Sequence, residues 1–156
     1  MFCIALKDAE EIEKIMFKIN TSNILILMGS IPFIFLMVLS LFSLDNFFNY
    51  SINYLVSIYS IIIISFISGT HWGIFLNNKI PINLFVASNI ITIAVYFSFL
   101  ILNNFYFILI SIISFISLLL FDFYIYKQTI TLIDYFAIRF FVSMIVIFSL
   151  LVLLFI

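Results

Sequence analysis

The sequence predicts an all-α polytopic membrane bundle of five transmembrane helices, preceded by a short amphipathic N-terminal helix. Three observations carry that reading. Charged residues make up 8% of the chain and hydrophobic ones 67%, whereas a soluble domain carries about 25% charged residues. Mean hydropathy is +1.40. Five apolar runs divide the chain, each near the roughly 20 residues that a helix needs to cross about 30 Å of hydrocarbon.

Taken in order, residues 1–20 read as a cytoplasmic amphipathic helix, with Ile12, Ile15, Met16 and Ile19 on one stripe and Lys7, Asp8, Glu10, Glu11, Glu13 and Lys14 elsewhere. Mixed charge gives this helix little attraction to anionic lipid, so docking on the protein's own face or on a partner is expected. Residues 21–156 form the transmembrane domain, with spans at about 22–44, 54–76, 82–102, 105–124 and 135–156. The runs lack the alternation of a membrane barrel, and hydrocarbon tolerates no unsatisfied backbone, so each is read as helical. In the first span Pro32 follows Gly29-Ser30; with no N–H to donate, it is expected to kink the helix and free a carbonyl. The links between spans are short polar punctuation, such as Asn103-Asn104 and Lys127-Gln128-Thr129, which makes successive spans antiparallel.

The basic residues Lys7, Lys14, Lys18, Lys79, Lys127 and Arg139 all fall on one side of five such crossings. The positive-inside rule then puts the N terminus in the cytoplasm, or in the matrix of an organelle, and the C terminus outside.

Several function classes are disfavoured. A net charge of -1 offers no basic face for nucleic acid. Cys3 is the lone cysteine, so no intrachain disulfide and no Cys-x-x-Cys metal motif exist, and it reads as an ordinary thiol. One histidine cannot supply bis-His haem ligation or a His/Glu metalloprotease pair, and Ser65 or Ser68 beside it makes no recognisable hydrolase pattern. The outward halves of the spans hold no Asp, Glu, Lys, Arg or His, which disfavours a proton pump or charge-coupled carrier. No internal repeat of the transporter kind is present.

Polar side chains in a lipid-embedded helix are costly, so function is sought where they cluster. The second span carries Ser65-Phe66-Ile67-Ser68-Gly69-Thr70-His71-Trp72-Gly73, with the only histidine and the only tryptophan. Asn89 comes to similar depth on the third span, Asp122 closes the fourth, and Arg139 lies four residues into the fifth. Ser65, Gly69 and Gly73 form a small-xxx-small stripe suited to helix packing. At 100° per residue His71 lies about 160° from that groove, so it faces another neighbour, placing the second span centrally with His71 towards Asn89, Asp122 or Arg139. His71 has two readings: polar glue between helices, or a ligand or proton-handling group. Trp72 reads as a packing or interfacial anchor. Arg139 either snorkels to the headgroups or pairs with Asp122 or Asp134.

At these residues the chain resembles an uncharacterised membrane family, domain of unknown function 3429, which includes transmembrane protein 69-like integral membrane proteins. The strongest element is Tyr59 to Gly73, with Ser65-Phe66 and Gly69-Thr70-His71-Trp72-Gly73. Gly29-Ser30-Ile31-Pro32-Phe33, Asp122 and Tyr135-Phe136-Ala137-Ile138-Arg139 add support. Asp134 stands where relatives carry Trp, and the proline that relatives place near Ser88 and Asn89 is absent. The resemblance implies a bacterial cytoplasmic or mitochondrial inner membrane and brings no activity or cofactor.

The expected role is therefore that of a non-enzymatic accessory or assembly protein, in contact with membrane lipids and with another membrane protein or a second copy. The alternative is a small-molecule site for a quinone-like, lipid or haem ligand in the cytoplasmic leaflet, lined by His71, Trp72, Asn89, Asp122 and Arg139.

Overall fold

Each of the five apolar runs forms a helix long and apolar enough to cross a membrane. The computed structural model describes residues 23–44, 46–47, 49–77, 82–128 and 133–156. The expected helix at 1–20, with Cys3, lies outside them.

The first span, Asn23–Leu41, is interrupted by a turn at Gly29-Ser30 and resumes as α1 (Ile31–Leu41), with Pro32 in its first turn. Proline is tolerated there because first-turn N–H groups have no intrahelical acceptor. Ser30 Oγ donates back to the Leu27 carbonyl at 2.8 Å. The Gly29 carbonyl accepts the Tyr59 hydroxyl from the next span at 3.1 Å, so the break in one helix is sealed by its neighbour.

A small antiparallel hairpin follows, β1 (Asn46–Phe47) and β2 (Tyr50–Ser51), with Asn46 opposite Ser51. Asn49 takes φ 68°, a left-handed conformation that asparagine tolerates better than most residues. Strands of two residues are too short for alternation to register in a sequence.

The remaining helices are α2 (Ile52–Asn77), α3 (Leu84–Ile101), α4 (Asn104–Lys127) and α5 (Ile133–Phe155). The asparagines in the links act as N-caps: Asn83 Oδ1 accepts Val86 N–H at 3.1 Å and Asn103 Oδ1 accepts Tyr106 N–H at 3.3 Å. Each satisfies one of the orphan donors at a helix start.

Helix α2 packs against α1, α3 and α4, while α4 packs against α2, α3 and α5, and α5 reaches back to α1. The sequence alone puts α2 at the centre; the structure has α2 share that place with α4, which is the more buried of the two. Ser57 and Asn104 meet at one end of these helices and His71 and Asp122 towards the other, so α2 and α4 run parallel. Phe33 fills the centre, with ring centroids 5.0 Å from Tyr59 and 6.0 Å from Phe115. Since lipid tails are as apolar as leucine, such close packing and interhelical hydrogen bonds hold the bundle, rather than exclusion of water.

Candidate functional site

The inward row of α2 is Val56, Ser60, Ile64, Ile67, Ser68 and His71, the i, i+3, i+4 spacing of one helix face. His71, the last of these, is 0% exposed. Its Nε2 lies 2.9 Å from Asp122 Oδ1. The inward row of α4, Ser111, Phe115, Leu118, Asp122 and Ile125, aims that carboxylate at α2. The sequence has Asp122 close the fourth span; the helix continues to Lys127, and Asp122 lies on its buried row more than a turn from the end.

Arg139 completes the group from α5. Its Nε donates to Asp122 Oδ2 at 3.2 Å, and Nη2 lies 3.1 Å from the same oxygen. Asp122 is 5% and Arg139 7% exposed, so Arg139 does not snorkel, and its partner is Asp122. The Phe121 ring packs edge-on to His71. Thr70, one residue before His71, turns its hydroxyl back to the Ile67 carbonyl at 2.7 Å.

An ionised carboxylate only accepts, so both neighbours donate to it; the proton on His71 Nε2 follows from that partner. Guanidinium and carboxylate cancel, and with a neutral imidazole the group carries no net charge. Burial is tolerable on that condition, because one isolated charge at this depth costs several kcal/mol. His71 Nδ1 has no partner among the described residues. Chemically the arrangement ties three helices together, and both carboxylate oxygens are already engaged.

Of the five residues the sequence nominates for binding, the structure brings three together: His71, Asp122 and Arg139. Trp72 lies on the adjoining seam, where its Nε1 donates to Ser88 Oγ at 3.1 Å and its ring packs on Phe85. Asn89 stands apart, donating to the Phe85 carbonyl of its own helix at 3.0 Å. Ser65 bonds back to the Ile61 carbonyl. A Cβ added at Gly69 or Gly73 would meet no described atom within 4 Å. Within the described chain, therefore, no helix packs on the small-residue stripe. With His71 on the opposite side, the costlier group to expose to lipid takes the interior and the stripe turns outward.

A polar seam that the sequence does not announce joins α2 and α3. Thr92 Oγ1 donates to Ser68 Oγ at 2.8 Å, and Ser88 Oγ, which accepts from Trp72, donates to the Leu84 carbonyl at 2.7 Å. The available signal was the i, i+4 pair Ser88 and Thr92, with Ser68 three residues before His71. A double-mutant cycle of Trp72→Phe and Ser88→Ala, read by unfolding in lipid-detergent micelles, is expected to give a coupling of about 0.6 kcal/mol, typical of interhelical hydrogen bonds in bilayers. Strictly additive losses would show that this bond contributes nothing.

A family model described as "Protein of unknown function (DUF3429)" matches residues 19–155. The match spans all five helices and the polar cluster. No curated protein and no solved structure matches the chain, so nothing extends the likeness to transmembrane protein 69.

Proposed function

This chain belongs to the DUF3429 family of proteins of unknown function, and from that premise we propose that it is a non-enzymatic integral membrane protein acting by contact, as an accessory or assembly factor for a larger membrane complex. The observation that carries this reading is the way the polar atoms are disposed. His71, Asp122 and Arg139 spend their charge on one another in the interior, while none of the described helices covers the opposite face of α2. That face presents Ile62, Ser65, Phe66, Gly69, Gly73 and Leu76 to the outside. Its two glycines let a second backbone approach closely. The occupant in this reading is a transmembrane helix of another membrane protein.

The membrane in this reading is the bacterial cytoplasmic or the mitochondrial inner membrane, with the N terminus on the cytoplasmic or matrix side. Support comes from the basic residues, all of which fall on that side of five crossings.

Photo-crosslinking from position 69 in native membranes tests the contact, with the lipid-exposed Ile90 of α3 as control. A discrete protein adduct is expected from position 69 and not from position 90. Gly69→Leu should weaken co-purification of that adduct's protein about tenfold, near 1.4 kcal/mol, with the chain's own unfolding unchanged. An adduct the size of a second copy would indicate self-association, and an adduct within the chain would indicate its own N-terminal segment. Equal adducts from both positions would refute the contact.

The small-molecule alternative keeps one point of support, the placement of Arg139 on a cavity wall. A haem ligand fits poorly, since His71 Nε2 is already bonded to Asp122 and the ring is fully enclosed.

A further inference from the structure

We infer that the cavity at the end of the bundle away from His71 binds the neutral, hydroxyl-rich ring of a sugar, either free in water or as the headgroup of a lipid. This goes beyond the contact role and does not depend on it. The cavity, of about 210 Å³, lies where the first turns of α2 and α4 meet the last turn of α3. Two other cavities, about 80 Å³ beside Arg139 and about 330 Å³ between α1 and α2, have largely apolar walls. This one is mixed. Its polar side is built by Ser51, Asn53, Ser57 and Asn104. Ser57 Oγ donates to the Asn53 carbonyl at 2.7 Å and lies 3.3 Å from one polar atom of the Asn104 carboxamide. The other polar atom of Asn104 and the whole side-chain carboxamide of Asn53 make no hydrogen bond to a described residue. Tyr54, Phe99 and Phe107 line the remainder as one chain of rings, with centroids 6.2 and 5.5 Å apart.

Charge selects the class of ligand. No ionised residue lines the cavity, so a phosphate, carboxylate or ammonium would find no counter-charge there. Carboxamides and hydroxyls both donate and accept, and a ring that carries several hydroxyls answers them in kind. The C–H edges of such a ring are slightly positive and rest on the negative faces of aromatic side chains. Size limits the ligand. Small-molecule sites usually measure about 300–1,000 Å³, so this smaller cavity admits one ring. Position gives the access. Ser51, Asn53 and Tyr54 are exposed around the start of a membrane-spanning helix, the level at which water and headgroups meet the protein. A dissolved sugar and a glycolipid both reach that level and present the same chemistry.

The test uses the full chain in phosphatidylcholine nanodiscs and two probes that carry the same ring, methyl β-glucoside and glucosyl diacylglycerol. Saturation-transfer NMR reads the first. Native mass spectrometry of the released protein, with plain diacylglycerol as competitor, reads the second. Saturable binding of at least one probe is expected, and whichever binds identifies the source. Asn53→Leu and Tyr54→Ala, both at exposed positions, should each weaken that binding about tenfold. If Tyr54→Ala does not fold, Asn53→Leu decides. No saturable binding of either probe would overturn the inference, as would undiminished binding to a folded Asn53→Leu chain. So would binding of methyl glucuronide or glucosamine as tight as that of the glucoside, since the neutral hydroxyls would then not be the recognised feature. Gly69 lies about 18 Å along α2 from Ser57, so failure here would leave the crosslink from position 69 intact, and the reverse also holds.

Discussion

Asp122→Asn is expected to destabilise the folded bundle by about 3–5 kcal/mol, the cost of leaving a buried charge uncompensated. The substitution preserves size and removes only the negative charge. Arg139 is 7% exposed, so its guanidinium has no water to turn to, and His71 Nε2–H loses a charged acceptor. The loss should fall towards the lower end of that range, because a chain unfolded within a bilayer also finds polar partners. Reversible unfolding in mixed micelles measures it. A sharper corollary concerns the triple replacement His71→Leu, Asp122→Leu and Arg139→Leu. Apolar residues of similar volume avoid the desolvation that a buried ion pair carries, so the triple variant should be more stable than Asp122→Asn alone. If the three losses instead accumulated, the group would be a net source of stability and not a conditionally tolerated one.

Phe33→Ala should produce the second largest loss, about 2 kcal/mol. Phe33 is fully buried and packs on Tyr59 of α2 and Phe115 of α4, so its removal opens a hole where three helices meet. In a soluble core such a truncation costs about 3–5 kcal/mol, part of which is transfer of the side chain out of water. Here the unfolded reference is lipid, the transfer part largely vanishes, and the lost packing remains. The effect should also spread. Phe33 follows the break at Gly29-Ser30, where the Gly29 carbonyl accepts the Tyr59 hydroxyl, so the Tyr59 contact loosens with it. Wild-type stability in Phe33→Ala would mean that the first span is only peripherally attached.

Much of this architecture is written in composition and spacing. Five hydrocarbon-length runs predict five helices because a bilayer accepts few other solutions. The approach of His71, Asp122 and Arg139 was legible for a related reason: groups costly to expose to lipid seek one another, and all three lie near the same ends of their helices. What escaped notice depends on rotation and on helix length. The fourth span, read as ending near 124, runs on to Lys127, so Asp122 lies more than a turn from the helix end, and Tyr124 and Lys127 are what hide that in hydropathy. Depth alone points to Asn89; its side chain bonds instead to the Phe85 carbonyl of its own helix, which depth does not reveal. The glycine stripe has the spacing of a packing face, and spacing does not say whether the packing partner belongs to the same chain.

The sole histidine is locked to a carboxylate inside the bundle. Solid-state NMR of the lipid-reconstituted chain, with ¹⁵N-histidine and ¹³C-aspartate, tests it directly, because His71 is the only histidine and its signals need no assignment. A protonated Nε2 in dipolar contact with one aspartate carboxyl carbon is expected, in keeping with the 2.9 Å separation from Asp122 Oδ1. An Nε2 with no carboxyl carbon beside it, or a contact made from Nδ1 instead, would contradict it.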